Sequence, residues 1–109
     1  SYLSVIHTVN HPAKNREKFN PKALILVHLY GWACPETIEI RKLCNDKKVL
    51  LIDDCAQAIG VKINDQSLLT GAFVATTSFY PAKVLGASGD AGGVFTTSAQ
   101  VAQVTQKLL

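Results

Sequence analysis

The chain predicts an α/β fold, a three-layer sheet with helices, and three observations carry that prediction. The run Ala23-Leu24-Ile25-Leu26-Val27 is continuously apolar, as expected of a parallel strand covered on both faces. A second apolar run, Val49 to Ile52, follows, and the stretch between them from Pro35 to about Asn45 has helical periodicity. Strand, helix, strand makes a βαβ unit, whose crossover is almost always right-handed.

In chain order, Tyr2 to Val9 alternate loosely and carry β-branched residues, which fits a short strand or an irregular packed segment. Asn10 to Pro21 holds Pro12, Asn15, Asn20 and most of the local charge and reads as a connection, so residues 1–21 form an amino-terminal segment and linker ahead of a domain at 22–109. Lys22 to Leu29 is the first clear strand, ended by Gly31. Pro35-Glu36 marks the helix start, because proline is tolerated in the first turn and an acid there suits the helix dipole. Ile40, Leu43 and Cys44 follow the i, i+3, i+4 rule, leaving Glu39, Arg41 and Lys42 for the wet side.

Gly60 to Gly71, with Asn64, Asp65 and Gln66, reads as an exposed loop or small hairpin, and Phe73 to Phe79 as a third strand rich in β-branched and aromatic residues. Glycines between Gly86 and Gly93 allow sharp turns or close backbone approach. Val94 to Thr97 forms a short fourth strand, and Ser98 caps a last helix in which Val101, Val104 and Leu108 share a face.

A chain of 109 residues supports one small domain. Its hydrophobic fraction of 48% is high for that size and predicts apolar surface facing another segment or subunit. The net charge of +3 draws on Lys14, Arg16, Lys18 and Lys22. That cluster is broken by Glu17, carries only Phe19 as an aromatic and fits no groove-reading motif, so no nucleic-acid partner is expected. Cys34, Cys44 and Cys55 form no CxxC pair and read as buried thiols of a reducing cytoplasm. His7 and His11 have no metal spacing with an acid or thiol, and no metal is expected. With no membrane-length apolar run and no signal-peptide pattern, a soluble cytoplasmic protein without a membrane partner is expected. Both ends, Ser1 and Leu109, read as cut.

The chemistry centres on Lys83, in Ser78-Phe79-Tyr80-Pro81-Ala82-Lys83-Val84-Leu85-Gly86, downstream of Asp53-Asp54-Cys55-Ala56-Gln57. A lysine among apolar and small residues loses hydration if buried, which frees the neutral amine needed for a Schiff base. An acid at the end of an apolar strand can keep a pyridine nitrogen protonated, so the pair points to pyridoxal phosphate. Either Asp53 or Asp54 suits that role by position, and Asp54 can alternatively cap a helix. Tyr30-Gly31, Asp53-Asp54 and Ser78 all fall near strand ends, where parallel α/β sheets bind ligands. His28, within an apolar strand, reads as a packed and satisfied histidine, and Asp90 among glycines as a turn residue.

In this order, Val27-His28-Leu29-Tyr30-Gly31, Ile52-Asp53-Asp54-Cys55-Ala56-Gln57-Ala58-Ile59-Gly60, the Ser78 to Lys83 motif and Gly89-Asp90-Ala91-Gly92-Gly93 resemble the DegT/DnrJ-type sugar aminotransferases. The resemblance runs from about Lys22 to Leu109 and implies part of the large domain of a fold-type-I pyridoxal-phosphate-dependent transferase. It implies three parallel strands, with Val94 to Thr97 antiparallel at one side. It also implies that Lys83 forms the Schiff base and shuttles a proton, Asp54 salt-bridges the pyridine nitrogen, Gln57 bonds the phenolic oxygen and Ser78 contacts the phosphate. The implied reaction moves an amino group, commonly from glutamate, to a keto sugar nucleotide, in a homo-oligomer whose second subunit contributes to the site. Two departures stand out: Val84 follows the lysine where the family usually has asparagine, and Leu69-Thr70-Gly71-Ala72-Phe73 replaces a glycine-rich segment ending in aspartate.

The isolated segment is expected to bind the cofactor poorly and to lack activity, because the phosphate-holding loop, the ring-stacking aromatic and the closing domain are not found in it. The competing reading is a truncated, non-catalytic α/β module acting through self-association or partner binding. A flavodoxin-like ligand binder explains the strand-helix-strand pattern but not the Lys83 motif.

Overall fold

The computed structural model describes residues 21–108. The strand expected at Tyr2 to Val9 and nearly all of the connection to Pro21 lie outside them. Six strands and two helices follow: β1 (Ala23–Val27), α1 (Thr37–Lys47), β2 (Leu50–Asp54), β3 (Lys62–Ile63), β4 (Gln66–Ser67), β5 (Val74–Ser78), β6 (Gly92–Thr96) and α2 (Ala99–Leu108). The main sheet has the order β1-β2-β5-β6. Its first three strands are parallel and β6 runs antiparallel to β5, as the resemblance implied.

Register decides which residues share a face. Leu24 pairs with Leu51, Leu26 with Asp53 and Asp53 with Ala75, while Ile25 pairs with Ile52, Val27 with Asp54 and Asp54 with Thr76. Neighbouring side chains along a strand point to opposite faces, so Asp53 and Asp54 part company at the end of β2. The Asp53 face carries Leu24, Leu26 and Leu51 against Ile40 and Cys44 of α1, which together form one buried cluster. Each fully buried leucine or isoleucine there contributes roughly 1.5–3 kcal/mol of transfer free energy.

The opposite face is not covered in the same way. Ile25 is 45%, Leu50 39% and Val94 45% exposed. Among the described residues β1 stands at the edge of this sheet and α1 shields one of its sides, so the cover expected on both faces is seen here on one. The apolar run identifies the strand, but these residues do not themselves supply the second layer over it.

The helix α1 begins two residues beyond Pro35. Thr37 donates both its N–H (3.0 Å) and its hydroxyl (2.6 Å) to the Cys34 carbonyl, so residues 34–37 close a turn before the helix starts. At the far end Lys48 adopts the left-handed conformation at φ 54°, and its N–H caps carbonyls of the last turn. The Val49 N–H also donates to the Cys44 carbonyl at 2.9 Å, and the chain passes directly into β2. Ile40 and Cys44 are buried as expected and Leu43 is half-buried. Arg41, assigned to the wet side, turns inward instead.

Residues 60–71 include a hairpin, one of the two expected forms. Asn64 and Asp65 at φ 50° and 60° make its tight turn, which suits residues that tolerate the left-handed region. The segment that follows carries Leu68 into a second buried cluster with Cys55, Ala58, Ala72 and Ala75.

In α2 the Ser98 hydroxyl accepts the Val101 N–H at 3.3 Å, the expected cap. Val104 and Leu108, two of the residues expected to share a face, are exposed. Ala102 and Thr105 instead line a cleft with Thr76, Val94 and Thr96.

Candidate active site

Because β1, β2 and β5 are parallel, their carboxyl ends share one edge of the sheet. Backbone bonds tie that edge together. The His28 N–H donates to the Asp54 carbonyl at 3.0 Å, and the Cys55 N–H to the Thr76 carbonyl at 2.8 Å. The Thr77 hydroxyl also donates to the Cys55 carbonyl at 3.3 Å.

At the end of β1, Tyr30 and Gly31 have φ 56° and 76°, and the Trp32 N–H closes the turn on the Leu29 carbonyl at 3.0 Å. A tyrosine in the left-handed region is uncommon. Its N–H donates to Gln57 Oε1 at 3.1 Å, which joins the ends of β1 and β2 and leaves the Gln57 amide NH2 to face outward.

At the end of β2, Asp54 Oδ1 accepts the Ala56 N–H at 3.0 Å. Its other oxygen has no donor among the described residues. Residues 55–58 form a single turn closed by the Ala58 N–H on the Cys55 carbonyl, and no helix follows. Asp54 therefore caps a local turn, and Gln57 does not lie a helical turn beyond it.

Asp53 faces the other way and is fully buried. Its Oδ1 accepts from His28 Nε2 at 2.8 Å, and its Oδ2 accepts from Arg41 Nε at 3.3 Å and lies at ion-pair distance, also 3.3 Å, from Arg41 Nη2. His28 Nδ1 accepts the Cys34 N–H at 3.0 Å, which places the ring proton on Nε2. Arg41 Nη2 donates also to the Leu68 carbonyl at 2.9 Å. Gly71 makes room for this arginine, since a Cβ there would sit 2.6 Å from Arg41 Nη1. With both oxygens taken and no exposure, Asp53 is not available to a ligand. Position in the chain does not reveal this pairing, which joins Asp53 to a residue 25 positions away that follows β1.

At the end of β5, Ser78 Oγ accepts the Tyr80 N–H at 3.2 Å, so its own proton remains free to donate outward. The chain then folds into a closed loop. Phe79 donates to Ala91 (2.8 Å), Lys83 to Tyr80 (2.8 Å) and Ala87 to Phe79 (2.7 Å), all backbone to backbone. A Cβ on Gly86 would lie 2.5 Å from the Pro81 carbonyl oxygen, so the glycine permits the loop to approach itself. Lys83 is half-buried, whereas Val84 is 83% exposed and Leu85 also faces solvent. The burial that the sequence argument required of this segment is not supplied by the described residues.

Asp54, Gln57 and Ser78 thus lie along one edge, with Lys83 on the loop leaving it; among the described residues no hydrogen bond joins any two of the four. Sequence reasoning missed Arg41 altogether, because its helical position reads as solvent-facing.

Burial pushes the Cys55 thiol up to about 12, and Asp53 and then Asp54 add to that shift. Desolvation also raises Cys44 and the half-buried Cys34. A separate cleft of about 490 Å³, lined by Arg41, Cys44, Lys48, Leu50 and Phe73, lies at the amino end of β2, away from this edge. No cluster of metal-ligating residues occurs among the described residues, and no helix among them is long and apolar enough to cross a membrane.

Comparison with known proteins places this edge in context. The dTDP-3-amino-3,4,6-trideoxy-alpha-D-glucose transaminase of Micromonospora megalomicea subsp. nigra is 40% identical over 87 residues, which are 80% of this chain and 23% of that protein. The GDP-perosamine synthase of Vibrio cholerae is 40% identical over 71% of this chain and 20% of its own length. The chain thus spans less than a quarter of either relative.

Among solved structures, an aminotransferase from Brucella abortus superposes with a TM-score of 0.76 at 32% identity, over 95% of this chain and 28% of that one. NtdA from Bacillus subtilis, determined with bound cofactor PMP, gives 0.65 at 34% identity over 74% of this chain and 18% of its own. The sheet described above is therefore part of the fold of the pyridoxal-phosphate-dependent aminotransferases. The sequence pattern of one family matches residues 7–109, beginning upstream of Lys22, and the chain belongs to that family, the DegT/DnrJ/EryC1/StrS aminotransferases.

Proposed function

We propose that this chain carries the cofactor-holding edge of a pyridoxal-phosphate-dependent enzyme that transfers an amino group, from glutamate as donor, to the keto group of a nucleotide-linked sugar. One observation carries the reading: three groups along a single edge each have one polar function occupied by the chain and another left over. Asp54 keeps an acceptor oxygen, Gln57 its amide donors and Ser78 its hydroxyl proton. That set matches a protonated pyridine nitrogen, a phenolic oxygen and a phosphate.

Pyridoxal phosphate bound there supplies an electron sink for the bond changes at the substrate nitrogen. Asp54 holds the ring nitrogen in its protonated form through a charge-assisted bond. Gln57 donates to the phenolic oxygen, its orientation set by the Tyr30 N–H, and Ser78 donates to the phosphate. Lys83 would supply the amine that holds the cofactor aldehyde and the base that moves a proton. Names such as the dTDP-amino-sugar transaminase and GDP-perosamine synthase support the nucleotide-sugar class. The reaction belongs in the cytoplasm, where the thiols of Cys34, Cys44 and Cys55 stay reduced. Exposure of Val84 and Leu85 favours a homo-oligomer in which a second subunit covers the Lys83 loop, and leaves the chain by itself a weak binder without turnover.

The test is a visible spectrum with excess pyridoxal phosphate, followed by borohydride reduction and peptide mapping. A single adduct on Lys83, absent in Lys83→Ala, is expected; adducts scattered over lysines such as Lys47 and Lys48 would overturn the reading. The non-catalytic alternative, self-association, is favoured by the exposed Ile25, Leu50 and Val94 on one sheet face. A monomer by gel filtration at high concentration would exclude it.

A further inference from the structure

We propose that His28, Asp53 and Arg41 form a positioning device for Asp54. Asp53 is held at both oxygens by side chains from two other elements, the segment that follows β1 and α1, and its own side chain and that of His28 are fully buried. A buried carboxylate held at both oxygens restrains the backbone at the end of β2. His28 acts twice, since its side chain holds Asp53 and its N–H donates to the Asp54 carbonyl. The cap on its own Nδ1 by the Cys34 N–H fixes the ring.

Arg41 completes the frame by bridging Asp53 to the Leu68 carbonyl, tying the segment after the hairpin to the same point. What emerges on the opposite face is Asp54, with one oxygen seated on the Ala56 N–H and the other without a donor among the described residues. The triad touches no ligand. Its effect reaches Asp54 through the peptide link from Asp53 and through the His28 N–H on the Asp54 carbonyl.

This inference rests on Asp54 being the partner of the pyridine nitrogen, and its test separates the two ideas. Binding to the chain is compared for pyridoxal phosphate and for its carbon analogue, which has C–H in place of the ring nitrogen. Asp53→Asn keeps the shape but weakens the hold on His28 and Arg41. It is expected to lower pyridoxal phosphate affinity about tenfold, the loss of one charge-assisted bond, and to leave the analogue within about twofold. Asp54→Asn shows the same selectivity if the cofactor reading holds. Equal weakening of both ligands by Asp53→Asn, or none, overturns the positioning role.

A second measurement needs no ligand. Amide exchange at Ala56 reports the seat of the Asp54 carboxylate, and exchange at Leu50, bonded to the Lys22 carbonyl at the far end of β2, reports the strand as a whole. Asp53→Asn and His28→Leu are expected to speed Ala56 exchange at least about tenfold relative to Leu50. His28→Gln, which retains a donor near Nε2, restores part of the protection. Parallel acceleration at both amides, or none at Ala56, refutes the inference even for a chain that binds no cofactor.

Discussion

Adjacent residues of an extended strand point to opposite faces, and at Asp53 and Asp54 that alternation separates a buried carboxylate from an available one. Removing one partner of a buried charge is costly because the other charge stays desolvated. Arg41→Met is therefore expected to destabilise the fold by about 3 kcal/mol, measured by urea unfolding, more than a surface arginine would. Cys55 gives a pH signature. Below about pH 9 neither the folded nor the unfolded thiol ionises. Between about 9 and 12 the unfolded chain releases the proton that the folded chain retains, so stability falls as pH rises. The wild type should lose roughly 1.4 kcal/mol per pH unit more than Cys55→Ala in that window, read from unfolding curves. The proposed site residues Lys83, Asp54, Gln57 and Ser78 were named from motif order alone. The burial of Asp53 and the inward turn of Arg41 depend on partners 12 to 25 residues away that local periodicity does not encode.

At the scale of elements, apolar runs and β-branched content located all four strands of the main sheet, because such segments have few other ways to bury their side chains. Their boundaries moved by a residue or two where turn chemistry intervened, as at Thr37 and at Gly92, where β6 starts earlier than its apolar residues. Lys48 sits in the left-handed region, which glycine enters without a Cβ penalty. Lys48→Gly is expected to raise stability by about 0.5–1 kcal/mol, detectable by thermal unfolding. Gly86→Ala has the opposite character. Its Cβ would meet a backbone carbonyl that has no rotamer to yield, so the loop carrying Lys83 must open. Lys83 trapping by borohydride should drop severalfold while the melting of the sheet changes little.

Over the whole molecule, the parallel order and the antiparallel edge agree with the family resemblance, whereas covering of the sheet does not follow from the apolar strands alone. Hydrophobicity predicts that a surface is buried in the end, not what buries it. Leu50 and Ile25 on the open face should bind a hydrophobic dye, and Ile25→Lys should reduce both that binding and any self-association seen by gel filtration. The order β1-β2-β5-β6 has a further consequence. Among the described residues each strand of the main sheet docks beside the one made before it. During synthesis, Asp53 can close on His28 and Arg41 as soon as β2 leaves the ribosome, before the loop bearing Lys83 has been translated.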